Sequence, residues 1–169
     1  VHWRMETVQL DLLSDCAEAL VDTLGNLLAD PTLAKDIKTV WMATDMPLSL
    51  SSDEGSHAPS QRSNTFKTVM KEHTLAMSIV KTAFGVGGPL EEWKMTGLAE
   101  QMRRVRANLT EEGRDFSLVD EDDSGLIWED AGVWGILDKM AAMQSTLFVS
   151  GARGCGRVSS FTRQIVDYR

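Results

Sequence analysis

The stretch Phe116-Ser117-Leu118-Val119-Asp120-Glu121-Asp122-Asp123-Ser124-Gly125-Leu126-Ile127-Trp128-Glu129-Asp130-Ala131 decides how the rest of the chain is read. Asp120, Asp122 and Ser124 alternate along it, so a curling backbone turns one oxygen from each toward a common point. Gly125 follows where such a curl needs a sharp turn, and glycine tolerates the backbone angles required there. Leu126 offers its backbone carbonyl to the same point, and the apolar Ile127 comes next. Helical signals flank the acidic run. Thr110 reads as an N-cap with Glu111 and Glu112 in the first turn, where the helix dipole favours them. Beyond the run, Val133, Trp134, Leu137, Met140 and Ala141 recur at helical spacing.

This arrangement resembles the EF-hand family, of which calmodulin-like proteins are members. Counted from Asp120 as position 1, the resemblance implies a metal site made of Asp120, Asp122, Ser124 and the carbonyl of Leu126. Phe116 stands where the family commonly carries an aromatic, and Ile127 where it places an apolar residue that bridges to a paired loop. The departure is at position 12, where the family's bidentate glutamate is replaced by Ala131. Glu129 and Asp130 fall at positions 10 and 11. Losing a ligand that supplies two of about six or seven oxygens implies weak or lost calcium binding. Magnesium, which keeps several of its own waters, is the other cation the loop suits.

EF-hands come in pairs, so a second loop is expected upstream. Gly88 and Leu90 match positions 6 and 8, which makes Ala83 position 1, 37 residues before Asp120. Ala83, Gly85, Gly87 and Lys94 then occupy positions 1, 3, 5 and 12, without a carboxylate. The expected role of that loop is structural, with Leu90 set against Ile127. A helix ending near Phe84 and another starting near Pro89 complete the expected hand. The second of these carries Leu90, Trp93, Gly97, Leu98, Met102 and Val105 on one face.

Working outward, Leu13, Cys16, Ala17, Leu20, Val21, Leu24, Leu27 and Leu28 predict a helix over 6–29. Asp30-Pro31 reads as an N-cap followed by a proline at the first helical position. The helix it starts is expected to run to about Ala43, with Leu33, Ile37, Val40 and Trp41 on one face. Residues 45–64 are rich in Ser, with Gly and Pro, and read as a linker. Periodicity resumes with Phe66, Val69, Met70, His73, Met77, Val80 and Phe84. No alternating pattern is long enough to predict a sheet. The expected fold is therefore all-α: an N-terminal helical hairpin over 1–44, a linker over 45–64, a degenerate EF-hand-like pair over 65–149 and a tail over 150–169.

Composition bounds the function. The 169 residues carry a formal net charge of −8, with 25% charged and 43% hydrophobic residues. That balance argues against nucleic acid, whose phosphates require clustered Lys and Arg. It suits an acidic, soluble protein that binds cations or basic segments. No apolar run reaches the roughly 18 residues of a transmembrane segment. The chain begins at Val1, which reads as a processed, trimmed or excised chain, with a cytoplasmic or organellar soluble compartment favoured. Cys16 lies on an apolar helical face and reads as a buried thiol. Cys155 lies in a Gly-rich turn, and a bond between the two remains open.

Other chemistry is thin. Ser150 to Arg157 has the glycines and arginines of an anion-holding loop but lacks the Gly-Lys-Ser/Thr ending of a P-loop, and reads as a mobile turn. His2, His57 and His73 show no metal-ligand spacing, and His73 reads as a packed residue. Arg103, Arg104 and Arg106 form a small basic face. Met95, Met102, Met140 and Met143 suit either core filling or a groove for an amphipathic partner helix. The expectation is a non-catalytic protein-interaction or regulatory module. The alternative is a structural helical subunit or domain of a larger assembly.

Overall fold

The computed structural model describes residues 1–46, 68–98, 100, 101, 104 and 131–169. In chain order these residues form β1 (His2–Trp3), α1 (Leu13–Ala29), α2 (Pro31–Ala34), β2 (Thr39–Trp41), β3 (Ala43–Thr44), α3 (Lys71–Ala83), β4 (Lys94–Thr96), α4 (Ala131–Gln144) and α5 (Ser160–Tyr168). Two short 3₁₀ turns, Met5–Thr7 and Leu10–Leu12, join β1 to α1. The all-α expectation is wrong: the described residues form a mixed fold with parallel strand pairing.

The strands share one central stretch. β2 pairs parallel with β4, Val40 opposite Met95, and β3 pairs parallel with β1, His2 opposite Ala43. Met42, between β2 and β3, donates its N–H to the Thr96 carbonyl at 2.8 Å, while Ala43 donates to the Val1 carbonyl at 2.9 Å. Successive residues of an extended chain hydrogen-bond to opposite sides. Residues 39–44 are therefore the middle, with β1 on one edge and β4 on the other. On the outer edge of β1, His2 donates its N–H to the Val149 carbonyl at 2.8 Å.

The central stretch explains why a helix was expected there. Val40, Met42 and Ala43 are buried in this stretch and Met46 just beyond it, while Thr39 is exposed, so the sequence here is a short, largely apolar run. Such a run cannot be separated from a buried helix by periodicity. Asp30 does cap a helix, accepting the Thr32 N–H at 2.8 Å, and Pro31 opens it. That helix stops at Ala34 rather than near Ala43. The β-branched Thr39 and Val40 then favour the pleated chain.

α1 buries Leu13, Cys16, Ala17, Leu20, Val21, Leu24 and Leu28, close to the expected stripe. It packs against α3, which turns Ala76, Met77, Val80 and Ala83 inward. Leu13, Leu20 and Val80 are wholly buried, and each full burial of a Val or Leu side chain contributes roughly 1.5–3 kcal/mol. His73 is packed as expected, its Nδ1 accepting the Met70 N–H at 3.1 Å.

The expected upstream hand is not a helix-loop-helix. α3 ends at Ala83, residues 84–93 form successive turns, and Lys94–Thr96 is strand β4 rather than the body of a helix. Leu90 is fully buried in the core and faces α1: a Cβ built on Gly25 would lie 4.0 Å from its Cδ2. The helical residues of this region begin at Leu98.

α4 and α5 pack together. The Arg169 guanidinium donates to Ser145 Oγ at 2.9 Å and to the Thr146 carbonyl at 3.0 Å, just beyond the end of α4. Met140, expected on the buried stripe of α4, is 58% exposed. Among the described residues, no helix is long and apolar enough to cross a membrane.

Asp138 on α4 accepts the Trp41 indole N–H at 2.9 Å. Burial pushes its carboxyl up to about 6, outweighing the Trp41 hydrogen bond and the chain amine, which both act downward. A raised folded value means that ionisation is penalised in the folded state. Stability is therefore full below the ordinary value of 3.8 and falls as pH rises to about 6. Asp138→Asn keeps an oxygen for Trp41 and removes that penalty. We expect urea unfolding to show the variant about 2 kcal/mol more stable than the parent at pH 8, with the advantage gone at pH 4. A variant less stable at pH 8 would show that the carboxylate is needed ionised.

Candidate ligand site at the carboxyl ends of the strands

The chain leaves β1 and β3 at the same end of the sheet, and Asp45 ties the two exits together. Its Oδ1 accepts the Met5 N–H and its Oδ2 the Glu6 N–H, each at 2.9 Å. These are the free donors of the first 3₁₀ turn, so the carboxylate acts as its cap. Thr44 adds a longer hydrogen bond to Oδ1 at 3.3 Å. Burial nevertheless raises the Asp45 carboxyl above its ordinary range, against the hydrogen bonds from Met5 and Thr44 and the nearby Arg4 charge. Arg4 and Glu6 form an ion pair across the same turn.

A Gly-rich turn closes over this end. Gly151, Gly154 and Gly156 all have positive φ, at 65°, 81° and 97°. Gly156 also permits close approach. A Cβ there would stand 2.8 Å from Thr7 Oγ1 and 3.4 Å from Val8 Cγ2. The Arg157 N–H donates to Thr7 Oγ1 at 3.3 Å. The turn is fastened covalently, since Cys155 is disulfide-bonded to Cys16 near the start of α1. Neither cysteine is a free thiol, so Cys16 is buried as expected but bonded. The turn expected to be mobile is held at three points.

α5 starts from this turn. Ser159 caps it by accepting the Thr162 N–H at 3.0 Å. The buried Thr162 hydroxyl stands 3.1 Å from each of Ser150 Oγ, Ser159 Oγ and His2 Nδ1. The His2 ring stacks on Phe161 with centroids 4.4 Å apart. Burial lowers His2 to about 4, helped by the chain amine and Arg4, so it is neutral at pH 7. One polar cluster thus joins β1, the turn and the first turn of α5.

Two polar atoms at this end have no hydrogen-bond partner among the described residues: the indole nitrogen of Trp3, which is 1% exposed, and Glu6 Oε2. Buried polar atoms are nearly always paired, and an unpaired one costs about 1–3 kcal/mol. Gly151 packs beside the Trp3 indole, its built Cβ 3.7 Å from Cδ1. Arg153 and Arg157 are exposed on the same turn, and Arg4 is partly so.

The sequence-expected metal residues Asp120, Asp122, Ser124 and Leu126 lie outside the described residues, as do Ala131's loop neighbours Trp128 to Asp130 and the linker residues 47–64. The arginine cluster is described only at Arg104, which pairs with Glu100. Among the described residues, no group of three or more His, Cys, Asp or Glu side chains is placed to hold a metal ion. Sequence reasoning did mark the Ser150–Arg157 glycines and arginines. It missed Asp45, Thr162 and His2, whose significance depends on strand pairing. A cysteine among glycines, with its only possible partner on a core helix, was the available signal. Comparison with protein-family models, curated proteins and solved structures returned no match.

Proposed function

We propose that the described part of the chain is an α/β ligand-binding unit that takes an anionic small molecule at the carboxyl ends of its strands. The observation that carries this reading is the order of the sheet. The strands form two two-stranded parallel pairs, β1 with β3 and β2 with β4, joined through residues 39–44, and a single backbone hydrogen bond from His2 places Val149 on the other edge of β1. In open α/β sheets a reversal of strand order separates the loops on either side, and ligands bind beyond the carboxyl ends of the strands there. Here those loops are Arg4–Thr7 and the Gly-rich turn leading into α5. The exposed Arg153 and Arg157 and the start of α5 favour negative charge, while Arg4 is paired with Glu6. The disulfide suits a chain that folds in an oxidising compartment. The reading assigns binding and no reaction.

Inorganic pyrophosphate is a suitable probe. Calorimetry is expected to show saturable binding with a Kd of about 1 mM, some −4 kcal/mol, weakened at least several-fold by Arg157→Ala. Heats that do not saturate, or binding unchanged by both Arg153→Ala and Arg157→Ala, would count against an anion site here.

The oxygen-bearing loop supports a second, separate proposal: weak cation binding by Asp120, Asp122, Ser124 and the Leu126 carbonyl, in a regulatory or protein-contacting role. It rests on the order of those residues alone. Trp128 at position 9 would sensitise terbium luminescence near a bound ion. A saturable signal is expected at millimolar terbium, lost in Asp120→Ala and strengthened about tenfold or more in Ala131→Glu, which restores the bidentate ligand. A response indifferent to both substitutions would dispose of it.

A further inference from the structure

We infer that the Cys16–Cys155 disulfide is a redox-sensitive latch that holds the Gly-rich turn in its closed shape, so that a dithiol reductant opens this end of the sheet. The inference deepens the reading of the same site as a ligand-binding one and rests on it for its functional meaning. Its structural basis is independent. The bond joins two unlike environments: Cys16 is 4% exposed inside the α1 core stripe, whereas Cys155 is only half-buried on the turn. The α1 and α3 packing is built on residues such as Leu20, Leu24, Met77 and Val80, and of the turn residues 150–157 it is Ala152 that is buried in the same core.

Apart from the disulfide, the turn is anchored at its start by the buried Ala152 and by the Ser150 hydroxyl, 3.1 Å from Thr162 Oγ1. Beyond Ala152 its hydrogen bonds are Cys155 N–H to the Ala152 carbonyl at 3.1 Å and Arg157 N–H to Thr7 Oγ1 at 3.3 Å. Three of its residues are glycines at positive φ, the residues that lose most conformational freedom on ordering. Severing the tether therefore frees the largely exposed stretch Arg153–Arg157, while Ala152 stays anchored in the core. Segments of this kind are the low-stability end of a structure.

The chemistry is thiol–disulfide exchange with a dithiol. One thiolate of the reductant attacks the sulfur of Cys155, the less buried of the two cysteines, and the Cys16 sulfur leaves as a thiolate and takes up a proton. The second reductant thiol then displaces Cys155, which also leaves as a thiolate and is protonated. The protein gains two thiols, and the dithiol becomes a cyclic disulfide. Two electrons pass from reductant to protein.

The test uses the full chain, oxidised or held in dithiothreitol, and follows two readouts. Trypsin cleavage after Arg153 and Arg157, both exposed, is expected to speed up at least about tenfold on reduction, while far-ultraviolet circular dichroism keeps its helical signal. Pyrophosphate affinity is expected to fall about tenfold. The Cys16→Ser/Cys155→Ser chain should match the reduced protein without reductant and ignore the dithiol. Cleavage at those bonds no faster after reduction would overturn the latch. So would general unfolding in both the reduced and the double-serine chain, because the bond would then be a staple of the whole fold. Equal pyrophosphate affinity in the two redox states would overturn the link between latch and site while leaving the site itself standing. Binding in neither state would remove the ligand reading instead, and release of the turn would be judged on cleavage alone.

Discussion

Asp45→Ala is expected to lower the unfolding free energy by about 3 kcal/mol. The carboxylate is the acceptor for both the Met5 and the Glu6 N–H groups. Each donor left without a partner costs about 1–3 kcal/mol when it cannot reach water. Met5 is wholly buried, so its N–H belongs near the top of that range. Glu6 is only partly buried, so its N–H belongs near the bottom. The raised Asp45 carboxyl works the other way. Deleting the side chain removes a charge whose burial is unfavourable, which is why the expected loss lies below the sum of two full penalties. Asp45→Asn should fall between parent and alanine variant, since its amide keeps one acceptor and sets an NH₂ against the second donor. Urea denaturation of the three proteins checks the order. An alanine variant as stable as the parent would mean that the exit from β1 is not held by this residue.

Gly88→Ala is expected to be nearly as costly, by about 2–3 kcal/mol, for a different reason. A Cβ at this position would collide with the Ala83 carbonyl oxygen and stand 2.5 Å from that of Thr82. Both belong to the last turn of α3, whose backbone cannot retreat as a flexible side chain would. Leu90, two residues on, donates its N–H to the Ala83 carbonyl at 2.9 Å and is fully buried. Displacing residue 88 therefore disturbs a helix end, a hydrogen bond and a core side chain together, the kind of mechanism behind large single-residue effects. Gly87→Ala is the control. Gly87 has φ of 80° with nothing within 4 Å of a built Cβ, so only the strain of the left-handed backbone, about 1 kcal/mol, is expected. Equal losses at the two positions would contradict the steric account.

Gly88 also shows how far the fold is legible from residues alone. Gly88 does stand in a turn, but Leu90, expected against Ile127, is buried facing α1, and Ile127 lies outside the described residues. The resemblance also placed a helix after Gly88, where the chain forms β4 instead. The long amphipathic elements are visible because their period is repeated many times: α1 follows its expected stripe closely, α3 keeps His73, Met77 and Val80 of its own while Met70 is exposed before it, and Asp30 caps where an N-cap was expected. The strands are two or three residues long, too short for any period to register. The central stretch is largely apolar, so it looks like helix. Parallel pairing adds to the difficulty, because Ala43 meets its partner at residue 2, far away in sequence. The candidate site suffers most from this. Its parts come from residues 2–7, 45 and 150–162, and only the glycines and arginines of the last segment signal themselves locally.

The amide spectrum of the ¹⁵N-labelled protein during a pyrophosphate titration tests the central claim most directly. The account predicts saturating shifts concentrated in Arg4–Thr7, in Gly151–Arg157 and in the first turn of α5, with α3 and the Gly85–Gly88 turn unmoved. Saturating shifts centred on α3 or α4, with Arg4–Thr7 and Gly151–Arg157 silent, would contradict it.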